Sequence, residues 1–291
     1  MPLPALILLI AAAGEPQFTR LAEEAEAFAS ALPNLIGEEL LRQRALPERR
    51  LPRLRIGERA VRPELPPMVE RTVRSEIAYA TFRNKDDAPP SVHEIRRVVE
   101  VDGQPIEKPE AARRALVLDA RSPDDTVKRR LLAELEKHLI AGASLDFSLT
   151  LLLFRGRAID NYDFEPVVRQ AIDGQMCQIW AFRQKVGDAG FTRFEGKQVD
   201  RQPITGMLWL RETDGVPMRI RLRAERDDII DDGVTDYRQT PRGLVPARVE
   251  HSRRAGTIVF AESVFEYPEF KRFSTESGIS FTPLGEEPPK P

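Results

Sequence analysis

The sequence predicts an α+β protein that is mainly β: a curved antiparallel sheet or incomplete barrel, with an N-terminal helix and a mid-chain helix covering its concave face. Three observations predict it. In 217–225, Met218, Ile220, Leu222 and Ala224 alternate with Arg219, Arg221, Arg223 and Glu225. That alternation marks a strand with one dry face and one wet face. Similar segments recur through the second half, separated by short turn signals such as Asp173-Gly174 and Asp214-Gly215. Two stretches, 18–32 and 123–141, carry the spacing of amphipathic helices instead.

The elements follow in order. Met1 to Ala13 reads MPLPALILLIAAA, an apolar run too short to span a bilayer as a helix. It has the length of a signal-peptide core, with Ala11-Ala12-Ala13 before Gly14 as the small residues that cleavage needs. No Lys or Arg precedes it, so an apolar N-terminal arm is the alternative reading. In 18–32, Leu21, Ala25, Phe28 and Leu32 share one face, and Pro33-Asn34 ends the helix. Residues 35–46 read as a strand or short helix, and 47–67, rich in Arg and Pro, as a loop or irregular edge. Residues 71–82 and 92–101 form a hairpin, and Asp102-Gly103 is a tight turn. The stretch 107–120 is open between helix and strand.

Ser122-Pro123-Asp124-Asp125 starts the mid-chain helix, with a cap, a proline at the first position and acids at the positive end of the dipole. Val127, Leu131, Leu135 and Leu139 are its stripe and Gly142 its stop. Strands are then expected at 147–154, 176–182, 191–195, 206–211, 217–225, 235–239, 244–252 and 257–266. Asp232-Gly233, Arg242-Gly243 and Ala255-Gly256 supply further turns. The organisation is therefore a signal segment (1–13), a single domain (14–282) and a Pro/Glu tail (283–291).

Composition limits the function classes. The chain has 291 residues, 41% hydrophobic and 31% charged, which suits one large domain or two small ones. Its 44 basic and 46 acidic residues balance to −2, which argues against nucleic acid as a partner. Cys177, the single cysteine, lies in an apolar run and reads as a buried small hydrophobe. His93, His138 and His251 show no metal-ligand spacing. Asp227, Asp228, Asp231 and Asp232 read as a solvated hairpin tip rather than a calcium loop. The Arg-rich 49–62 run and Arg219, Arg221 and Arg223 read as a charged outer face, with anionic lipid headgroups as the alternative. No nucleophile elbow, phosphate loop or Cys/His pair is present. No cofactor or metal is expected, and no enzymatic activity.

What remains is apolar surface. Leu149, Leu151 and Leu153 alternate along one segment, and Met176, Trp180 and Phe182 along another. Met207 and Trp209, then Met218, Ile220 and Leu222, continue the pattern. In a curled sheet these eleven would line a concave face, the methionines adapting to irregular ligands. The alternative is an ordinary core closed by the two helices.

Several stretches resemble the bacterial periplasmic lipoprotein-carrier superfamily, the LolA/LolB-like fold. They are Leu32-Pro33-Asn34-Leu35, Gly156-Arg157-Ala158 before Tyr162, and Met207-Leu208-Trp209-Leu210 with Asp214-Gly215. Leu244-Val245-Pro246-Ala247-Arg248-Val249 and Phe265-Glu266-Tyr267-Pro268 with Phe270 and Phe273 complete the set. The resemblance spans most of 18–281. It implies an incomplete antiparallel barrel with helices at its mouth and a cavity for acyl chains, the helix at 123–141 acting as plug or lid. The expected function is an exported, periplasmic, non-enzymatic protein that sequesters a lipid or a lipoprotein acyl chain. The alternative is an envelope structural or interaction module with a filled core and a protein partner.

Overall fold

The structure, a computed structural model, describes residues 16–47, 65–83, 90–141, 146–185, 191–195, 198–202, 204–226, 228–274 and 279–284. The N-terminal segment 1–13, the basic run 49–62, Asp227 and Gly142 lie outside these residues.

Helix α1 (Pro16–Ala31) leads into β1 (Leu35–Ala45), which pairs with β2 (Val69–Phe82). β3 (Ser91–Val101) and the short β4 (Gln104–Pro105) complete this half of the sheet. Helices α2 (Pro109–Ala120) and α3 (Asp125–Leu132) follow, then 3-10 segments at Leu135–His138, Phe147–Phe154 and Gly156–Asn161. The second half holds β5 (Tyr162–Ile172), β6 (Gln175–Gln184), the hairpin β7 (Phe191–Glu195) and β8 (Gln198–Gln202), and β9 (Ile204–Arg211). It continues through β10 (Pro217–Arg226), β11 (Ile229–Thr240), β12 (Gly243–Ala255) and β13 (Ile258–Glu266). β14 (Phe270–Ser274) and β15 (Ser280–Pro283) end the chain's described part.

The main sheet runs β4-β3-β2-β1-β13-β12-β11-β10-β9-β6-β5, with β14 joined to the start of β1 and β15 to β14. Every pairing in it is antiparallel. The two ends of this path do not pair, so the sheet is open. Turn chemistry acts as expected at Asp102-Gly103 and Asp173-Gly174, where both residues have positive φ (49° and 77°, 49° and 76°). This is the backbone that a two-residue hairpin with right-handed twist requires.

Each strand sends alternate residues to opposite faces. On the face called inner here, α1 buries Phe18, Leu21, Ala25 and Phe28 against Val73, Ile77, Trp180, Phe182, Ile220 and Leu222. On the outer face of the β1–β3 half, Ile36, Ala78, Ala80, Phe82 and Ile95 meet Leu116 and Val117 of α2 and Leu131 of α3. Residues 107–120, open between helix and strand in the sequence, thus supply α2. Arg113 of α2 holds Glu76 with two hydrogen bonds (2.7 and 2.8 Å), and Arg97 reaches Asp119 at 3.1 Å.

Four expectations need correction. First, the mid-chain helix does not share the face of α1. Leu131 packs in the outer cluster, and Leu135 and Leu139 reach the inner one after the helix has ended. The chain crosses beside β3 from one face to the other there, which is why the stripe 127–139 breaks into α3 and a 3-10 turn. Asp124, not Ser122, is the cap, accepting from the Thr126 N–H at 2.8 Å. Second, 147–154 is a 3-10 helix lying on the inner face, not a strand. Its backbone turns on itself, the Leu149 N–H donating to the Asp146 carbonyl at 3.0 Å and the Arg155 N–H to the Leu152 carbonyl at 3.2 Å. Third, Asp232-Gly233 is no turn. Both lie within β11, and Gly233 leaves room for the Phe147 ring. Fourth, Pro283 and Leu284 pack with the domain: Pro283 ends β15 and Leu284 is buried in the inner cluster.

Candidate functional site

The inner face is not uniformly apolar. β1 turns Glu39 inward, β3 turns Glu94 and Arg96 inward, and all three are at most 2% exposed. Alternation explains this. In Glu38-Glu39 and Arg96-Arg97 two like charges stand side by side on a strand, so one of each pair must face in. Arg96 donates to Glu39 through Nε (2.8 Å) and Nη2 (2.9 Å), a two-point fork. Arg96 Nη2 also donates to Oε2 of Glu94. The guanidinium lies 5.9 Å from the Phe265 ring centroid. The two carboxylates hold the Arg96 guanidinium well above its ordinary range against the opposing effect of burial. Burial pushes the Glu94 carboxyl up to about 7; Arg96 pulls the other way, and Asp146 and Glu39 add to the rise.

Phe147–Phe154 covers this cluster and is tied to it. Ser148 donates twice to Glu94 Oε1, from its N–H (2.9 Å) and its hydroxyl (2.6 Å). Tyr79 OH pairs with the same hydroxyl at 3.2 Å. Asp146, just before the segment, meets His93 Nδ1 at 2.7 Å and accepts from the Glu94 N–H at 3.1 Å. From β11, Thr235 donates to the Phe147 carbonyl (2.8 Å), and Tyr237 OH accepts from the Leu151 N–H (3.0 Å) while bonding the Thr150 hydroxyl (2.8 Å). Gln43 grips the approach, accepting from the Ile140 N–H (2.7 Å) and donating to the Ala141 carbonyl (3.0 Å). These bonds satisfy polar groups that burial would otherwise leave costly.

The structure divides the sequence-predicted lining residues. Leu149 and Leu151 sit in the inner cluster with Trp180, Phe182, Ile220 and Leu222, and Leu153 packs against its margin. Trp209 belongs to a small outer-face cluster with Ile172, Cys177 and Ile179, and Met207 and Met218 pack against that cluster. β9 sends Leu208 and Leu210 inward, so Met207 and Trp209 point out. In β10 a bulge between Pro217 and Arg219 puts Met218 out of phase with Ile220 and Leu222. Met176 stands 48% exposed at the β5–β6 hairpin, where Val167 and Val168 are also more than half exposed. Sequence reasoning passed over Glu39, Glu94, Arg96, Ser148, Tyr79 and Tyr237. The doubled charges within strands were the signal that could have found Glu39 and Arg96; Glu94 follows from sharing the strand phase of Arg96.

The other candidates are structural in setting. Arg219 and Arg221 pair with Asp236 and Asp232 across β10 and β11, the latter pair at 2.6 Å, forming a charged outer face. Asp231 is buried and bonds His251 Nε2 at 3.0 Å, with the Phe147 ring 4.9 Å from the imidazole. Among the described residues no group of three or more His, Cys, Asp or Glu side chains is placed to hold a metal ion. No helix among them is long and apolar enough to cross a membrane.

No family model matches the chain, and no curated protein does. Solved structures do. One is a DUF1329 family protein from Desulfovibrio piger, at 10% identity over 91% of this chain and 95% of that one, with a TM-score of 0.37. Another is a domain from Vibrio parahaemolyticus named for outer membrane lipoprotein sorting, at 10% identity over 88% and 92%, with a TM-score of 0.38. A third is LprF from Mycobacterium bovis, at 11% identity over 88% and 93%, with a TM-score of 0.24. At such distances no residue's role carries across.

Proposed function

We propose that the protein is an exported, non-enzymatic binder that sequesters a lipid or lipoprotein acyl chain on the inner face of its open sheet. The observation that carries this reading is the nature of the cover. The apolar surface of Phe182, Ile220, Leu222 and their neighbours is closed by α1 and by the 147–154 segment, not by the sheet meeting itself. Such a cover can lift while the strands stay paired, and each Å² of apolar surface then offered to a chain is worth roughly 25 cal/mol before ordering costs. The test is native mass spectrometry of protein purified from a bacterial periplasm, followed by organic extraction. A co-purifying acyl lipid supports the reading. A clean mass, with no uptake of a fluorescent fatty acid afterwards, overturns it.

A second reading, an envelope interaction module with a permanently filled core, is favoured by the hydrogen bonds that hold 147–154 down. Its partner would meet the exposed Val167, Val168 and Met176 of the β5–β6 hairpin.

A further inference from the structure

The 147–154 segment has the chemistry of an occupant of the inner face. It brings an apolar body, with Leu149, Leu151 and Phe154 buried. It also brings a small polar head, Ser148, whose N–H and hydroxyl both end on one oxygen, Oε1 of Glu94, at 2.9 and 2.6 Å. The other Glu94 oxygen is engaged by Arg96, and Arg96 is forked onto Glu39. A ligand that replaces the segment inherits that carboxylate oxygen with both donors gone. A bare hydrocarbon would leave it unpaired in a dry site, and a site built to hydrogen-bond a donor rejects an analogue that lacks one. Ser75, opposite Glu39 on β2, adds a buried hydroxyl with no partner among the described residues.

We infer that the inner-face site takes an acyl or alkyl chain whose head carries a hydrogen-bond donor, a hydroxyl or an amine, and that Glu94 is the specificity-determining residue that reads it. This rests on the lipid-binding reading. The charges around Glu94 sharpen the choice: Arg96 beside it on β3, Glu39 on β1 and Asp146 at the start of the segment, with the Tyr79 and Tyr267 hydroxyls nearby. Glu94 and Glu39 share one guanidinium there, and Asp146, which bonds His93, adds to the acidic field at Glu94. An ionised carboxylate head would add a like charge, so a fatty acid anion is a poorer ligand than the alcohol of the same length.

The test uses the full chain and a matched pair of probes, hexadecanol and methyl hexadecyl ether, with palmitate as the anionic comparison. Affinities are read by displacement of a fluorescent acyl probe at about pH 8, above the range in which Glu94 holds its proton. Hexadecanol is expected to bind at least about tenfold tighter than the ether, the usual yield of one hydrogen bond to a charged acceptor. Palmitate is expected to bind more weakly than hexadecanol. In Glu94→Leu the alcohol–ether gap should close while the ether still binds. If that variant does not fold, Ser148→Ala serves: it weakens the incumbent segment, so both probes should tighten with the gap preserved. Equal binding of alcohol and ether by the unaltered protein overturns the role of Glu94 and leaves the lipid-binding reading standing. Binding of neither probe overturns both.

Discussion

Glu94→Gln removes a titrating group at nearly constant shape, and its consequence can be worked out. The folded chain holds the Glu94 proton up to about 7, against 4.5 for an exposed glutamate. Burial is the main cause, and the proton is therefore bound more tightly by the folded state. A raised folded value means that the favourable contribution is complete below about pH 4.5 and is lost as the pH climbs through 7. The span corresponds to about 3 kcal/mol. Glu76, which burial also pushes up, contributes in the same sense, whereas Asp214, held below its ordinary value by Arg211, changes its contribution only at more acid pH. Differences between wild type and Glu94→Gln cancel that background. The assay is urea unfolding of both proteins at several values between about pH 4 and about pH 8. Relative to the variant, wild type should lose about 3 kcal/mol over that range, most of it between about pH 5 and about pH 7. A difference that stays flat, or that grows in favour of wild type as the pH rises, refutes the reasoning.

Three further predictions concern the same cover and cluster. In Gly233→Ala the new methyl would stand 2.0 Å from Cε1 of Phe147, so the ring must move; a loss of about 1–3 kcal/mol by chemical denaturation is expected, partly restored by Phe147→Leu. Tyr237→Phe strips the acceptor from the buried Leu151 N–H and should cost about 1–3 kcal/mol, with faster hydrogen exchange at that amide. Arg96→Met strands two buried carboxylates and should cost about 3–5 kcal/mol; the double variant Glu39→Gln/Arg96→Met should recover part of the loss in the same denaturation assay.

Much of the sheet was legible because alternation and turn glycines are local signals. The strands at 71–82, 92–101, 176–182 and 206–266 follow from them, as does the charged outer face of β10. What was illegible depends on a third element. The Leu-Thr-Leu rhythm of 149–151 fits a strand, yet its hydroxyls bond side chains far along the chain, Thr150 meeting Tyr237. Gly233 reads as a turn until Phe147 is seen against it. The bulge after Pro217 shifts one residue in β10, and no local pattern announces it. The site suffered most from such phase errors: Met207, Trp209 and Met218 lie one residue out of step with the strand neighbours that face in. Burial disfavours isolated charges, so strand patterning alone points away from inward-facing ones, whereas Glu39, Glu94 and Arg96 are buried as a set.

The order of the sheet joins the beginning of the chain to its end. β1 pairs with β13, and Arg42 meets Glu266 across a separation of 224 residues. The hairpins β1-β2-β3 and β9-β10-β11-β12-β13 can each form from neighbours, but the seam between them closes only once β13 has been made. Loop closure over such a distance is slow. Until then β1 and β13 each present a raw edge to any other strand in solution. A molecule made or transported from its N-terminus therefore passes through an obligatory sticky interval, and truncation anywhere before β13 would make that interval permanent.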